Sequence, residues 1–301
     1  MDQRQELRDF LLSRRARITP QEAGLPQFGS SPRRVPGLRR SELALLSNVS
    51  VEYLTKLERG NATGVSDAVL EAVAQALQLD TAETSHLFDL ARGARTASGS
   101  RRRPAQQRVR PGVQQLLDAM PGVPSFVQNG RLDILAANTL AKALYADAFD
   151  QAAGTPGAAV IPNGARFTFL DERAVDLYPD WDKAAADTVA ALRAEAGRNP
   201  ADRRLNELLG ELSHSERFST MWARQDVRLH TSGIKRFRHS VVGDLTLAWE
   251  GLELAGDPGQ ALIAFTAEPR SPSAEALSFL ASWASTALAN AATPQESHPQ
   301  R

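Results

Sequence analysis

Cysteine is absent from the 301 residues. That excludes disulfides, thiolate metal sites and a cysteine nucleophile, and it fits a reducing cytoplasm. The five histidines, His86, His214, His230, His239 and His298, show no metal-binding spacing such as His-Glu-x-x-His. Gly-x-Ser-x-Gly and a phosphate-cradling glycine loop are also missing. No apolar run approaches the ~20 residues that span a bilayer. The first twenty residues carry Arg4, Glu6, Arg8, Arg14, Arg15 and Arg17, which is not the pattern of a secretory signal. The expectation is a soluble cytoplasmic protein that is not an enzyme, holds no cofactor or metal and does not engage a membrane.

Net charge is lacking as well, with 35 basic and 35 acidic residues. The balance hides an asymmetry. Residues 1–103 hold 16 Lys and Arg against 12 Asp and Glu, and the remainder holds 19 against 23. A basic front on an acidic body suits a polyanionic partner for the front alone. The length is comfortable for two domains.

The most informative stretch runs from Leu43 to Gly60. It predicts a helix, a tight turn and a second helix, the unit that lays one helix in the DNA major groove. Leu43 and small Ala44 face inward from the first helix. Asn48 sits where the chain reverses and tolerates a left-handed backbone. Val49 plugs the turn, Ser50 caps the second helix, and Leu54 and Leu57 face the core. Val51, Glu52, Thr55 and Lys56 then point outward near the start of that helix. Around this unit, Leu7 to Arg17 predicts a first helix. A Pro- and Gly-rich loop from Ile18 to Leu38 carries Arg33 and Arg34, and Arg39 and Arg40 follow. These four arginines are placed for phosphates. Ser66 caps a fourth helix, and Asp80 with Glu83 makes a capping box for a fifth.

Beyond a linker containing Arg101, Arg102 and Arg103 the texture changes. Val113–Met120 predicts a helix. Phe126 to Leu135 predicts a hairpin with Asn129-Gly130 as its tight turn. Asn138 starts a helix running Thr139–Phe149, and Leu177–Met221 is helical with a break at Asn199-Pro200. Strands are expected at Asp226–Thr231, Lys235–His239, Leu245–Leu254 and Gln260–Ala267, with turns at Gly233, Gly243 and Asp257-Pro258-Gly259. A last helix spans Ser273–Leu288. Strands separated by helices, followed by antiparallel strands, describe an α+β domain of the PAS type, which encloses an apolar cavity.

Two resemblances sharpen this. Leu57, Glu58 and Gly60 match the Leu-Glu-x-Gly ending of the Xre or lambda-repressor-like helix-turn-helix family, with Asn48 where that family usually has Gly. Leu132–Asn138, Leu177–Trp181, Ala190–Gly197, Lys235–His239 and Thr266–Pro269 resemble the MmyB-like transcription regulators, over about residues 5 to 285. Gln225 stands where that family often shows His. The resemblance implies a PAS-like ligand-binding domain and an elongated, fatty-acid-like ligand.

The fold expected is an all-α five-helix lambda-repressor-like DNA-binding domain over residues 1–95, a linker over 96–108 and an α+β PAS-like domain with an antiparallel sheet over 109–287. A disordered tail covers 288–301. The function expected is that of a sequence-specific transcription regulator, a repressor by family habit, working as a homodimer on double-stranded DNA and answering to a small apolar or amphipathic molecule. The alternatives make the second domain only a dimerisation or protein-interaction platform, or make the protein an enzyme with a site assembled from residues distant in sequence. Val51, Glu52, Thr55 and Lys56 are the base-reading candidates: Val51 for a thymine methyl, Glu52 for cytosine, Lys56 for guanine. Arg33, Arg34, Arg39, Arg40, Ser50 and Tyr53 are the phosphate candidates, Tyr53 equally suited to packing. Phe126, Tyr145, Trp181, Trp222, Phe237 and Trp249 are candidate pocket walls, or plain core. Arg228, Arg236 or Arg238 would meet a ligand carboxylate if they point inward. Strand alternation puts Arg236 and Arg238 on the face opposite Phe237.

Overall fold

The computed structural model describes residues 3–25, 37–96, 107–153, 161–226 and 231–292. The chain divides into two compact units: Met1–Pro104 with Val189–Leu229, and Ala105–Thr188 with His230–Arg301.

The first unit begins with α1 (Gln3–Arg17), α2 (Arg40–Leu46), α3 (Val51–Glu58), α4 (Asp67–Ala76) and α5 (Thr81–Thr96). Their apolar faces meet in one core built on Leu7, Phe10, Leu11, Leu43, Leu54, Leu57, Leu70, Val73, Leu87 and Leu90. Side-chain caps start the helices where the sequence predicts them. Ser66 Oγ accepts the Val69 amide, and Asp80 and Glu83 exchange backbone-to-carboxylate bonds at the head of α5. Arg33 and Arg34 lie outside the described residues, as do Arg101, Arg102 and Arg103.

The second unit opens with α6 (Pro111–Asp118), β1 (Ser125–Asn129), β2 (Ile134–Ala137), α7 (Thr139–Leu144), α8 (Ala146–Ala153), α9 (Gly164–Leu170) and α10 (Arg173–Leu177). Helix α11 (Trp181–Arg198) leaves this unit after Thr188, and α12 (Arg203–Leu212) and α13 (Glu216–Ala223) belong to the first. The chain then returns with β3 (Ser232–His239), β4 (Gly243–Glu253), β5 (Gln260–Thr266) and α14 (Pro272–Ala292). The five strands form one antiparallel sheet in the order β2-β1-β5-β4-β3, the arrangement expected of a PAS-like domain. Phe126, Phe237, Leu245, Trp249, Ile263 and Phe265 project from one face into the main core, while Val127 and Leu262 on the other face pack under α6.

Several expectations need correction. The Asn129-Gly130 turn is wider than a two-residue hairpin turn. Buried Asn129 accepts from the amides of Arg131 and Asp133, and Leu132 takes φ 64° before β2 begins. The single helix expected over 139–149 is two, because the chain turns at Tyr145 (φ −112°) and sends that ring into the core. Gly233 is not a turn. It lies inside β3 opposite Trp249, where a Cβ would stand 3.1 Å from the indole Nε1. The strand expected at 226–231 falls largely on residues outside those described. Asn138 does start a helix: its Oδ1 accepts from Ala141 N at 2.9 Å, and its Nδ2 donates to Met120 O and Val123 O.

Candidate functional site

The turn between α2 and α3 is made by local chemistry. Asn48 adopts φ 51°, the left-handed region that Asn tolerates. The Val49 amide bonds Ala44 O at 3.0 Å, and its side chain packs on the core. Ser50 Oγ accepts the Tyr53 amide at 3.0 Å, a cap whose loss costs roughly 1 kcal/mol. Burial of Leu54 and Leu57 turns the opposite side of α3 outward. There Val51 is 41% exposed, Glu52 and Lys56 are exposed, and half-buried Thr55 donates its hydroxyl to Val51 O at 2.7 Å. These four residues, with Arg59 and Asn61, line one open concavity of about 460 Å³. Arg59 was legible as the residue one helical turn beyond Thr55.

The phosphate candidates divide. Arg39 is exposed and heads α2, its amide bonded to Glu42 at 2.6 Å. Tyr53 is half-buried and packs on the core. Arg40 pairs with α3 while its side chain stays 43% exposed: its Nε meets Glu58 Oε2 at 2.6 Å, and Arg15 Nε meets the other oxygen at 2.6 Å. The Glu58 carboxylate is 2% exposed, so α1, α2 and α3 are joined at one buried anion. The sequence motif contains Glu58 but gives no hint of the two arginines, which lie 43 and 18 residues away. Gly60, the motif's last residue, has φ 79°, and a Cβ there would fall 2.1 Å from Arg4 O. Gly60→Ala is therefore expected to cost more than about 2 kcal/mol, read as a lower unfolding midpoint in urea.

In the second unit four of the aromatic candidates share one core. Tyr145 is its hub, edge-on to Phe126 at 5.7 Å and to Phe237 at 5.6 Å, with Phe265 at 6.0 Å. Register explains the cluster: Trp249 pairs with Phe265, Phe126 with Ile263, and Phe237 with Leu245. Trp181 packs against the edge of this core and donates Nε1–H to Thr168 O at 3.0 Å. Arg236 and Arg238 point outward, as alternation predicts. They pair with Asp180 and Asp244 and so do not face the core. Arg228 lies outside the described residues.

The family model for the MmyB-like transcription regulator ligand binding domain matches residues 109–280, and a helix-turn-helix model matches residues 36–83. The chain belongs to the MmyB-like transcription regulators. No curated protein matches the chain. A helix-turn-helix DNA-binding domain joined to a ligand-binding domain makes this a transcription regulator. These are the domains of a regulator and not of an enzyme family. Among the described residues no helix is long and apolar enough to cross a membrane.

Part of the matched ligand-binding segment in this MmyB-like regulator packs in the first unit. Trp222, grouped in sequence with the pocket aromatics, is there and not with the other five. It stacks on Phe218 at 5.4 Å, and the Arg193 guanidinium lies 4.1 Å over its ring. Arg193 is 1% exposed and contacts Glu6 of α1 at 3.2 Å and Gln225 Oε1 at 2.5 Å. Arg14 of α1 donates to the Gln225 carbonyl at 2.5 Å. Gln225 therefore ties α13 to α1. Burial pushes the Arg193 guanidinium down to about 10, against the pull of Glu6.

Proposed function

We propose that this MmyB-like regulator binds a specific operator through α3, and that a small apolar or amphipathic molecule such as a fatty acid modulates that binding. It acts in the cytoplasm, as a homodimer and a repressor, and catalyses no reaction. The observation that carries the DNA reading is the outward cluster of Val51, Glu52, Thr55 and Lys56 around one concavity on a matched helix-turn-helix. Two such helices in a dimer would read half-sites roughly 34 Å apart. Ligand acts by favouring one arrangement of the pair. The aromatic core of a matched ligand-binding domain supports the sensing role.

The test is fluorescence anisotropy of the full chain on its own upstream intergenic DNA, against scrambled DNA, at ~150 mM salt to suppress non-specific phosphate binding. Lys56→Ala is expected to cost about 1–3 kcal/mol and to relax preference at one base pair. Arg39→Ala is expected to weaken all sequences alike. If both variants bind like the parent chain, α3 is not the reading helix. A second reading, in which the second domain serves only as a dimer platform, is favoured by Phe279 and Trp283 on α14, 60% and 45% exposed. It expects operator binding to be unchanged by dodecanoate.

A further inference from the structure

We infer that the cleft between α12 and α13 is a binding site for a small uncharged aromatic molecule that carries a ring O–H or N–H donor. The site is separate from the aromatic core of the second unit and does not depend on the sensing role proposed for that core.

Leu205, Leu208, Leu209 and Leu212 bury one side of α12, and Phe218 is buried on α13. Between the two helices the surface is hollow. A mostly apolar cleft of about 380 Å³ is bounded by Leu209, Gly210, Ser213, Phe218, Ser219 and Trp222. Trp222 is half-buried and stacks on Phe218, the ring planes 26° apart. Gly210 sets this cleft apart from an ordinary gap between helices. It stands inside α12, where glycine weakens a helix. Its φ is not positive, and a Cβ there would meet nothing within 4 Å. Neither conformation nor close packing demands glycine at this position. What the bare backbone does is keep the cleft open.

The lining selects the ligand. Among the described residues no charged side chain lines the cleft, so it offers no counter-ion to a carboxylate or an amine. The Arg193 guanidinium, 4.1 Å from the Trp222 ring centre, repels a second cation from that ring. An uncharged body remains, and aromatic rings add a preferred geometry to the area they bury against other rings. Ser213 donates its hydroxyl to Gly210 O at 2.6 Å, and Ser219 donates to Ser213 O at 2.9 Å. Both protons are committed, so the two hydroxyl oxygens stand as acceptors for a donor on the ligand. The occupant also bears on the DNA-binding helices. Arg193 donates to the Trp222 carbonyl and pairs with Glu6 of α1 at 3.2 Å. The same α1 carries Arg15, the partner of Glu58 in α3.

The experiment is isothermal titration calorimetry of the full chain at pH 7 with three compounds: 2-naphthol, 2-methoxynaphthalene, which lacks the donor, and decahydro-2-naphthol, which lacks the aromatic rings. Amide hydrogen exchange with and without 2-naphthol locates the site. The parent chain is expected to bind 2-naphthol at least threefold tighter than either analogue, with slowed exchange over residues 206–223. Gly210→Leu, whose side chain fills the cleft, should weaken 2-naphthol at least tenfold. Its urea midpoint should not fall, because leucine favours a helix more than glycine does. Equal binding of the three compounds overturns the inference. So does slowed exchange confined to β1, β4 and β5, or 2-naphthol affinity kept within threefold in Gly210→Leu; either result gives the probe to the second unit. Binding of none of the three also overturns it, and a parent dimer that Gly210→Leu dissociates in sedimentation would then give the cleft to a second copy.

Discussion

Glu58→Ala is expected to destabilise the first unit by about 3 kcal/mol and to abolish selective operator binding. The carboxylate is 2% exposed and meets two guanidinium groups, Arg15 and Arg40, each at 2.6 Å. Removing one partner of a buried ion pair leaves charge in a poor solvent and costs roughly 3–5 kcal/mol. The lower end applies because the Arg40 side chain is 43% exposed and regains water, whereas that of Arg15 is 15% exposed and does not. Arg40→Ala should accordingly cost under about 1 kcal/mol, the scale of a solvated pair. Glu58 lies in the last turn of α3 and joins it to α1 and α2, so its loss frees the helix that presents Lys56. Amide hydrogen exchange over α3 distinguishes the cases. Fast exchange in Glu58→Ala with slow exchange in Arg40→Ala is the expected pattern. Equal exchange in the two variants would mean that the carboxylate holds nothing.

The elements that proved readable were those whose signals are local. Ser50 and Ser66 cap helices, Asn48 takes the left-handed turn, and Asn138 starts a helix through its own side chain. The outward residues of α3 were legible because Leu54 and Leu57 fix which face is buried. Strand alternation likewise put Arg236 and Arg238 opposite Phe237. What failed depends on contacts distant in sequence. The pairing of Arg40 with Glu58, eighteen residues on, has no local signal. Gly233 looks like a turn until Trp249 is placed across from it. Trp222 carries the same composition signal as Trp249, yet Arg193 and Phe218 hold it in the first unit.

The second large effect is a dependence of stability on pH that one buried imidazole sets. His86 is 3% exposed, stands edge-on to Phe10 at 5.1 Å, and among the described residues neither ring nitrogen has a hydrogen-bond partner. Gly197 approaches it so closely that a Cβ there would lie 2.9 Å from Nδ1. Burial is the main cause that pushes the imidazole down from 6.5 to about 3, and the charges of Arg193, Arg14 and Arg198 add to it. Above pH 6.5 both folded and unfolded chains carry neutral His86, and its contribution is constant. Between pH 6.5 and 3 the unfolded chain binds the proton and the folded chain does not. Stability is therefore expected to fall with acidification, by up to about 1.4 kcal/mol per pH unit. Glu6 opposes this at the acidic end, because burial raises its carboxyl and the folded state takes that proton first. Comparison with His86→Leu removes the Glu6 effect, since both chains contain it. The variant keeps an apolar side chain against Phe10 and loses only the proton. Urea unfolding from pH 7 to 4 should show the parent chain losing stability more steeply than His86→Leu. Parallel curves would mean that His86 reaches water in the folded state, and that the α5 surface around Gly197 is open.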